Sequence, residues 1–181
     1  APERRKLLKD FGLNIHRPQR PGSAWARVTA LGSYREVGRA CHFVTTNESR
    51  IMIDVGVNIA SDTDPMPYFT APEALPLEKL DAVVLTHSHL DHAGMLPVLF
   101  KYGYRGPVYC TPPTRDLMTL LQIDYIKVAR AEGNEPPYSK ADIQECIKHV
   151  VDVNWGDKTD ISPDIKMTME NAGHILGSSS V

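Results

Sequence analysis

The sequence predicts a mixed α/β domain, and three observations carry the prediction. Short apolar runs at residues 80–85 and 107–110 have the length and β-branched content of buried strands. Apolar residues at helical spacing follow them at 113–131, and a second helix is expected at 139–148. A cluster of three imidazoles and a carboxylate, Thr86-His87-Ser88-His89-Leu90-Asp91-His92, stands directly after the first of those strands. A chain of 181 residues is long enough for one domain with a sizeable core.

Taken in order, residues 4–14 form a short amphipathic helix with Leu7, Leu8 and Phe11 on one face and Gly12 near its end. Residues 15–22, with Pro18 and Pro21, read as a linker, and the folded domain is expected to begin near Trp25. Strands at 25–31, 40–46 and 50–54 then make a β-meander around the turn Gly32-Ser33-Tyr34-Arg35-Glu36-Val37-Gly38-Arg39. Residues 58–76 carry four prolines and form a surface loop. The strand at 80–85 leads into the histidine cluster, and residues 93–100 open a short helix with Asp91 and His92 near its N-terminus.

The helix over 113–131 is expected to turn Leu117, Leu120, Leu121, Ile123, Tyr125 and Val128 inward. Ser139-Lys140-Ala141-Asp142 is a loose capping box, with Asp in the place of Glu or Gln. Strands at 150–153 and 165–170 flank the turn region 156–163, and Lys166-Met167-Thr168-Met169 alternates as a strand with one buried face does. That strand ends in Asn171-Ala172-Gly173-His174-Ile175-Leu176-Gly177.

No apolar stretch approaches the roughly 18 residues that span a bilayer. The start Ala-Pro-Glu-Arg-Arg-Lys has no apolar core of a secretory signal, so the sequence reads as cytoplasmic. Cys41, Cys110 and Cys146 contain no CxxC pair and are expected to be reduced and buried. The net charge of −2 hides an asymmetry, because residues 1–27 carry seven Lys or Arg against Glu3 and Asp10. Such a basic arm suits contact with nucleic acid or a membrane surface, or is a solvated helix and linker.

The chemistry lies in the cluster. Imidazole suits zinc, and a neighbouring carboxylate lets a second metal or an activated water be held nearby. His87 and His89 can converge on one metal while Asp91 and His92 face an adjacent position, so one loop serves two ions. His16, His42 and His149 are isolated and are read as packing or surface residues. His174 is either a turn residue or a further ligand. Asp54, ahead of Val55-Gly56, either forms a turn or accepts a hydrogen bond that fixes the metal loop.

The pattern His-x-His-x-Asp-His after an apolar strand, with Asp54 upstream and Gly173-His174 downstream, resembles the metallo-β-lactamase superfamily. The turn Gly32 to Arg39, Arg115-Asp116-Leu117-Met118 and Gly173-His174-Ile175-Leu176-Gly177-Ser178 resemble its β-CASP branch. They are most similar to the archaeal homologues of the endonuclease subunit of the cleavage and polyadenylation specificity factor, from Trp25 to Ser180. The resemblance implies an αββα sandwich with two zinc ions on one edge. His87, His89 and His174 would hold one ion and Asp91 and His92 the other, with Asp54 orienting the loop and Asp54 and Asp91 as the catalytic carboxylates.

The activity implied is a metal-dependent ribonuclease, an endonuclease with or without 5′–3′ exonuclease action, in RNA 3′-end processing or transcription termination. The implied partners are single-stranded RNA, the transcription machinery and a second copy joined through regions this chain lacks, with no membrane. Residues 1–24 would be a basic helix and linker after RNA-binding KH domains, and residues 25–181 the N-terminal portion of the lactamase domain. The later carboxylate and histidines and the β-CASP insertion lie beyond Val181, so this segment is expected to hold one zinc or fewer and to be inactive alone. Two other classes share these features: a small ester or thioester hydrolase on the same scaffold, and a catalytically incomplete RNA-binding fragment. The Arg35 to Arg39 turn and the basic arm favour RNA.

Overall fold

Three antiparallel strands, β1 (Ala26–Gly32), β2 (Cys41–Thr46) and β3 (Arg50–Ile53), begin a six-stranded sheet. The sheet continues in parallel through β4 (Ala82–Val84), β5 (Val108–Cys110) and β6 (Val150–Asp152). The computed structural model describes residues 2–61 and 63–181. A parallel neighbour needs a crossover, and the 58–76 loop supplies the one from β3 to β4. Helices α2 (Leu90–Ala93) and α3 (Leu96–Lys101) supply the next, and α4 (Pro112–Ala131) with α5 (Lys140–His149) supply the last.

Period-two alternation divides the strands between two cores. Phe43, Met52, Val83, Leu85, Val108 and Cys110 face the layer of helices, where Met95, Leu96, Leu99, Met118, Ile126 and Ile143 are fully or almost fully buried. Ile51, Ala82, Val84 and Tyr109 face the other side. There the hairpin β7 (Thr159–Ser162) and β8 (Ile165–Met167) brings Ile161 and Met167 onto them. Beside it β9 (Glu170–Asn171) pairs with β10 (Ser179–Ser180). The order is helices, sheet, and the first strands of a second sheet. All three cysteines are free and buried, as expected, and burial pushes their thiols up, Cys110 to about 12.

Several local expectations are corrected. The helix after the histidine cluster is two pieces, and Asp91 and His92 lie inside the first, α2. Met95 leaves the helical region and Pro97, which lacks an N–H, restarts the helix in the first turn of α3. In α4 the inward stripe is Thr114, Met118, Gln122 and Ile126, whereas Leu120 and Val128 are exposed. Thr114 is satisfied by donating to the Gly177 carbonyl, and Gln122 Nε2 donates to the Ala93 carbonyl at 2.8 Å while its Oε1 is buried without a partner among the described residues. The strand expected at 165–170 is broken between β8 and β9, and Thr159–Ser162, read as turn, is strand. The capping box at Ser139 is complete: Ser139 N donates to Asp142 Oδ2 at 2.8 Å, and Asp142 N donates back to the hydroxyl.

The N-terminal helix α1 (Pro2–Ile15) is docked on the body at the N-terminal ends of the parallel strands. Phe11 is buried against the His149 ring at 5.7 Å, while Leu8, expected on the same face, is exposed. Arg4 Nη2 donates to the Val150 carbonyl at 2.6 Å, and Arg17 pairs with Asp81 at 2.7 Å while also reaching the Glu48 carbonyl. No helix among the described residues is long and apolar enough to cross a membrane.

A partly exposed ion pair contributes about 1 kcal/mol at most, so the buried ring dominates this docking. Phe11→Ala is expected to cost about 3 kcal/mol, read by urea unfolding. It should also raise amide hydrogen exchange across residues 2–15 well before the sheet exchanges.

Candidate metal centre

Two strand ends and one loop from the far end of the chain build the site. Asp54 follows β3, and Thr86 to His92 follow β4, its parallel neighbour. Both therefore open at the carboxyl edge of the parallel strands, where open α/β sheets bind ligands. His174 arrives on the loop between β9 and β10, held in place by Ser179 N donating to the Thr86 carbonyl at 2.8 Å.

Asp54 is buried, at 3 % exposure, in the left-handed region with φ 60°. Its Oδ1 accepts from Thr86 N at 2.8 Å, and its Oδ2 accepts from Thr86 Oγ1 at 2.8 Å and faces His92 Nδ1 at 2.8 Å. Both sequence readings of Asp54 thus apply: it makes the turn and its carboxylate ties the loop. That contact orients the His92 ring and leaves Nε2 directed toward Asp91 Oδ2, 3.7 Å away. Burial opposes charge on His92, but the hydrogen bond and charge of Asp54, with Asp91 behind them, outweigh it and raise its pKa.

His87 is buried, and burial, reinforced by the His92, His89 and His174 rings, lowers its pKa to about 4 against the pull of Asp54. It is therefore a neutral imidazole at neutral pH, the form that binds metals. The donor atoms of His87, His89 and His174 all lie within 4.8 Å of one another. His174 Nε2 faces His89 Nδ1 at 3.2 Å, and each of these rings stands 5.0 Å from the His87 ring. Three convergent imidazoles with an open side fit a zinc ion with one position free for water or substrate. His92 adjoins this trio, its ring 4.1 Å from that of His87, and Asp91 stands beside His92.

A cavity of about 420 Å³ joins Asp54, Thr86, His87, His92 and His174, and His42 lines it as well. His42, set aside in the sequence, thus borders the site, its ring 5.6 Å from Tyr34. A larger groove of about 880 Å³ lies under α1, at the other end of the sheet. Among the described residues no metal-type cluster other than the histidine trio occurs. His16 is exposed and His149 is buried under α1, both remote from the trio.

Two features escaped the sequence reading. The Asp91 carbonyl accepts from Ala40 N at 2.8 Å and rests on Gly56, where a Cβ would overlap it. Only glycine allows that approach, and the pattern Asp-x-Gly after a strand was the available signal. The second is Arg39, counted among residues favouring RNA. It is buried, pairs with Glu36 and Asp64 at 2.6 Å each, and packs over the Tyr68 ring. Arg39 fastens the turn to the proline-rich loop through Nε, Nη1 and Nη2, so its guanidinium serves the fold, while Arg35 of the same turn is exposed. Likewise Arg4 and Arg17 of the basic arm are engaged in docking α1.

Residues 43–180 match the metallo-beta-lactamase superfamily domain. The chain belongs to the metallo-β-lactamase superfamily. Over 176 residues it is 56% identical to a transcription termination factor FttA of Methanosarcina mazei, covering 97% of this chain and 28% of that protein. With the FttA of Methanocaldococcus jannaschii identity is 53% over 177 residues, 97% of this chain and 28% of that one. The archaeal resemblance drawn from the motifs is met by these relatives, of whose length the chain spans less than a third. Among solved structures, a metallo-beta-lactamase from Cronobacter sakazakii superposes with a TM-score of 0.55 at 18% identity, covering 88% of this chain and 58% of that one. The Rm3 metallo-beta-lactamase does so with 0.51 at 18% identity, covering 92% and 57%. These two carry the fold alone: helices on a sheet, and the opening strands of a second sheet, are the N-terminal part of the superfamily's αββα sandwich.

Two outcomes test this geometry. Gly56→Ala must push the Asp91 carbonyl away, and is expected to cost on the order of 2–3 kcal/mol, read as a lower urea midpoint. For metal-stripped protein, His87 stays neutral in the fold while the unfolded imidazole protonates near pH 6.5. Its contribution is therefore complete above about pH 6.5 and is lost as pH falls toward about 4. His92, with its raised pKa, works in the opposite sense, above pH 6.5. Urea titrations from pH 7 to 4 should show a steeper stability loss for the wild type than for His87→Gln; equal slopes would contradict the assignment.

Proposed function

We propose that this chain carries the first metal position of a zinc-dependent ribonuclease that hydrolyses phosphodiesters of single-stranded RNA in transcription termination or 3′-end processing. The observation that supports it most is the convergence of His87, His89 and His174, from two segments far apart in sequence, on one point. In this reading those three imidazoles hold one zinc ion, and Asp91 and His92 contribute to a second. Zinc at the first position supplies a Lewis acid able to activate water for attack on a phosphodiester. Asp54 keeps the His92 ring oriented through its hydrogen bond and holds the loop through Thr86. His87, neutral at working pH, presents a lone pair without first losing a proton.

RNA as substrate is supported by the relatives named as transcription termination factors; Arg35 is an exposed cation in the same turn as Tyr34, whose ring stands 5.6 Å from His42 of the cavity lining. The basic arm supports it less, since Arg4 and Arg17 serve the fold at the opposite end. Residues 1–24 would then link the catalytic domain to preceding KH domains and fix their orientation through α1. Action in the cytoplasm, dimerisation through other regions and two zinc ions in the complete enzyme belong to the same proposal.

The test measures bound metal by elemental analysis, with cleavage of single-stranded RNA, for this chain and for a protein extended to the relatives' length. The extended protein is expected to hold about two zinc ions and cut RNA, and His87→Ala should remove the zinc of the first position and the cleavage together. Unchanged zinc in His87→Ala would sink the ligand assignment. Zinc-loaded protein that binds RNA without cutting it would indicate a scaffold, and hydrolysis of thioesters without RNA affinity would indicate the small-substrate hydrolase. RNA affinity should fall steeply with salt as Lys and Arg contacts release counterions.

A further inference from the structure

We infer that Thr111 and Thr114, in the Thr111-Pro112-Pro113-Thr114 start of α4, are positioning residues that set His174 as a metal donor. The inference rests on the reading of His174 as a ligand given above, and it assigns that ligand's placement to a helix 60 residues earlier in the chain.

Thr111 occupies the N-cap of α4, where a threonine hydroxyl ordinarily accepts an N–H of the first turn. Here it caps nothing. Pro113, at the second position of the helix, carries no N–H, which removes one of the two donors such a cap would serve. The hydroxyl instead donates to the Gly177 carbonyl at 2.7 Å, and Thr114 Oγ1 lies 3.1 Å from the same carbonyl and 2.9 Å from Thr111 Oγ1. Both threonines are buried, Thr114 completely. That carbonyl also sits at the N-terminal end of a 20-residue helix, the end that favours negative charge.

Gly177 can approach so closely only because it is glycine. At φ 82° a Cβ there would stand 2.6 Å from Thr111 Oγ1 and 2.8 Å from Pro113 Cβ. From this anchor the loop is closed on itself. Buried Ser178 accepts at Oγ from both His174 N and Ile175 N at 3.1 Å, and its own N–H donates to the Ile175 carbonyl at 2.9 Å. His174 itself is exposed, with little packing of its own to hold it. Its position relative to His87 and His89 is therefore inherited from the anchored segment 177–179. The hydroxyls of Thr111 and Thr114 join that segment to α4, and Ser179 N joins it to the metal loop at Thr86.

Removing an outer partner of a ligand lowers metal affinity by about 10- to 100-fold when the fold is kept. The test titrates Co²⁺ into metal-stripped protein, reading affinity and the visible absorption of the bound ion, with thermal melting of the metal-free form alongside. Thr114→Val and Thr111→Val keep shape and delete the hydroxyl; each is expected to weaken Co²⁺ at least about tenfold and alter its spectrum. Thr114→Ser and Thr111→Ser should restore both. Wild-type affinity and spectrum in the valine variants would overturn the inference, as would serine variants as impaired as the valine ones. If one valine variant fails to fold, the other decides. His174→Ala is the control that separates the two readings: if it binds Co²⁺ like wild type, the ligand assignment itself is wrong, whatever the threonine variants do.

Discussion

A carboxylate at 3 % exposure must have its oxygens filled by donors, and Asp54 fills them from the one loop that carries the chemistry. Those contacts join the ends of two neighbouring parallel strands. They also hold a non-glycine residue at φ 60°, a conformation that ordinarily costs about 1 kcal/mol or more. With Thr86 fixed, His87 is drawn into the interior and His92 is aimed back toward Asp91. The close rest of the Asp91 carbonyl on Gly56 completes the fit. Without Asp54 the loop would keep its ligand types and lose their common direction.

The sheet separates two tasks by polarity. Its carboxyl edge carries the histidine trio, and its amino edge carries α1, held by Phe11, Arg4 and Arg17. Charge counted along the sequence is therefore a poor guide to charge available for a ligand. Arg39 fastens one loop, Arg50 reaches the Glu73 and Leu75 carbonyls of the same proline-rich stretch, and Arg17 neutralises Asp81. Guanidinium groups serve this way because their five donors can satisfy several carbonyls at once.

Much of the architecture was legible because the signals were local. The meander, the strand at 80–85 and both long helices follow from period-two and period-3.6 patterns together with Pro and Gly punctuation. The errors arose where partners distant in sequence decided the outcome. Thr114 and Gln122 displaced Leu120 and Val128 from the buried stripe of α4 because a carbonyl from elsewhere awaited each of them. The expected strand at 165–170 was divided between two hairpins whose other strands lie on either side of it in sequence. Leu8 lost its place to Phe11 because only part of α1 meets the body.

For the site, the sequence by itself determined the donor types and their local spacing. Three imidazoles and a carboxylate within six positions after a strand have little reason to exist except to bind metal. Only the tertiary structure decided which of them converge, that His174 joins His87 and His89, and that Asp54 turns inward to hold Thr86 and His92. The reason is physical: a convergent donor set is defined by distances of a few ångströms between segments some 30 to 90 residues apart. Those distances depend on strand order and on close approaches such as that of the Asp91 carbonyl to Gly56, which no local pattern encodes.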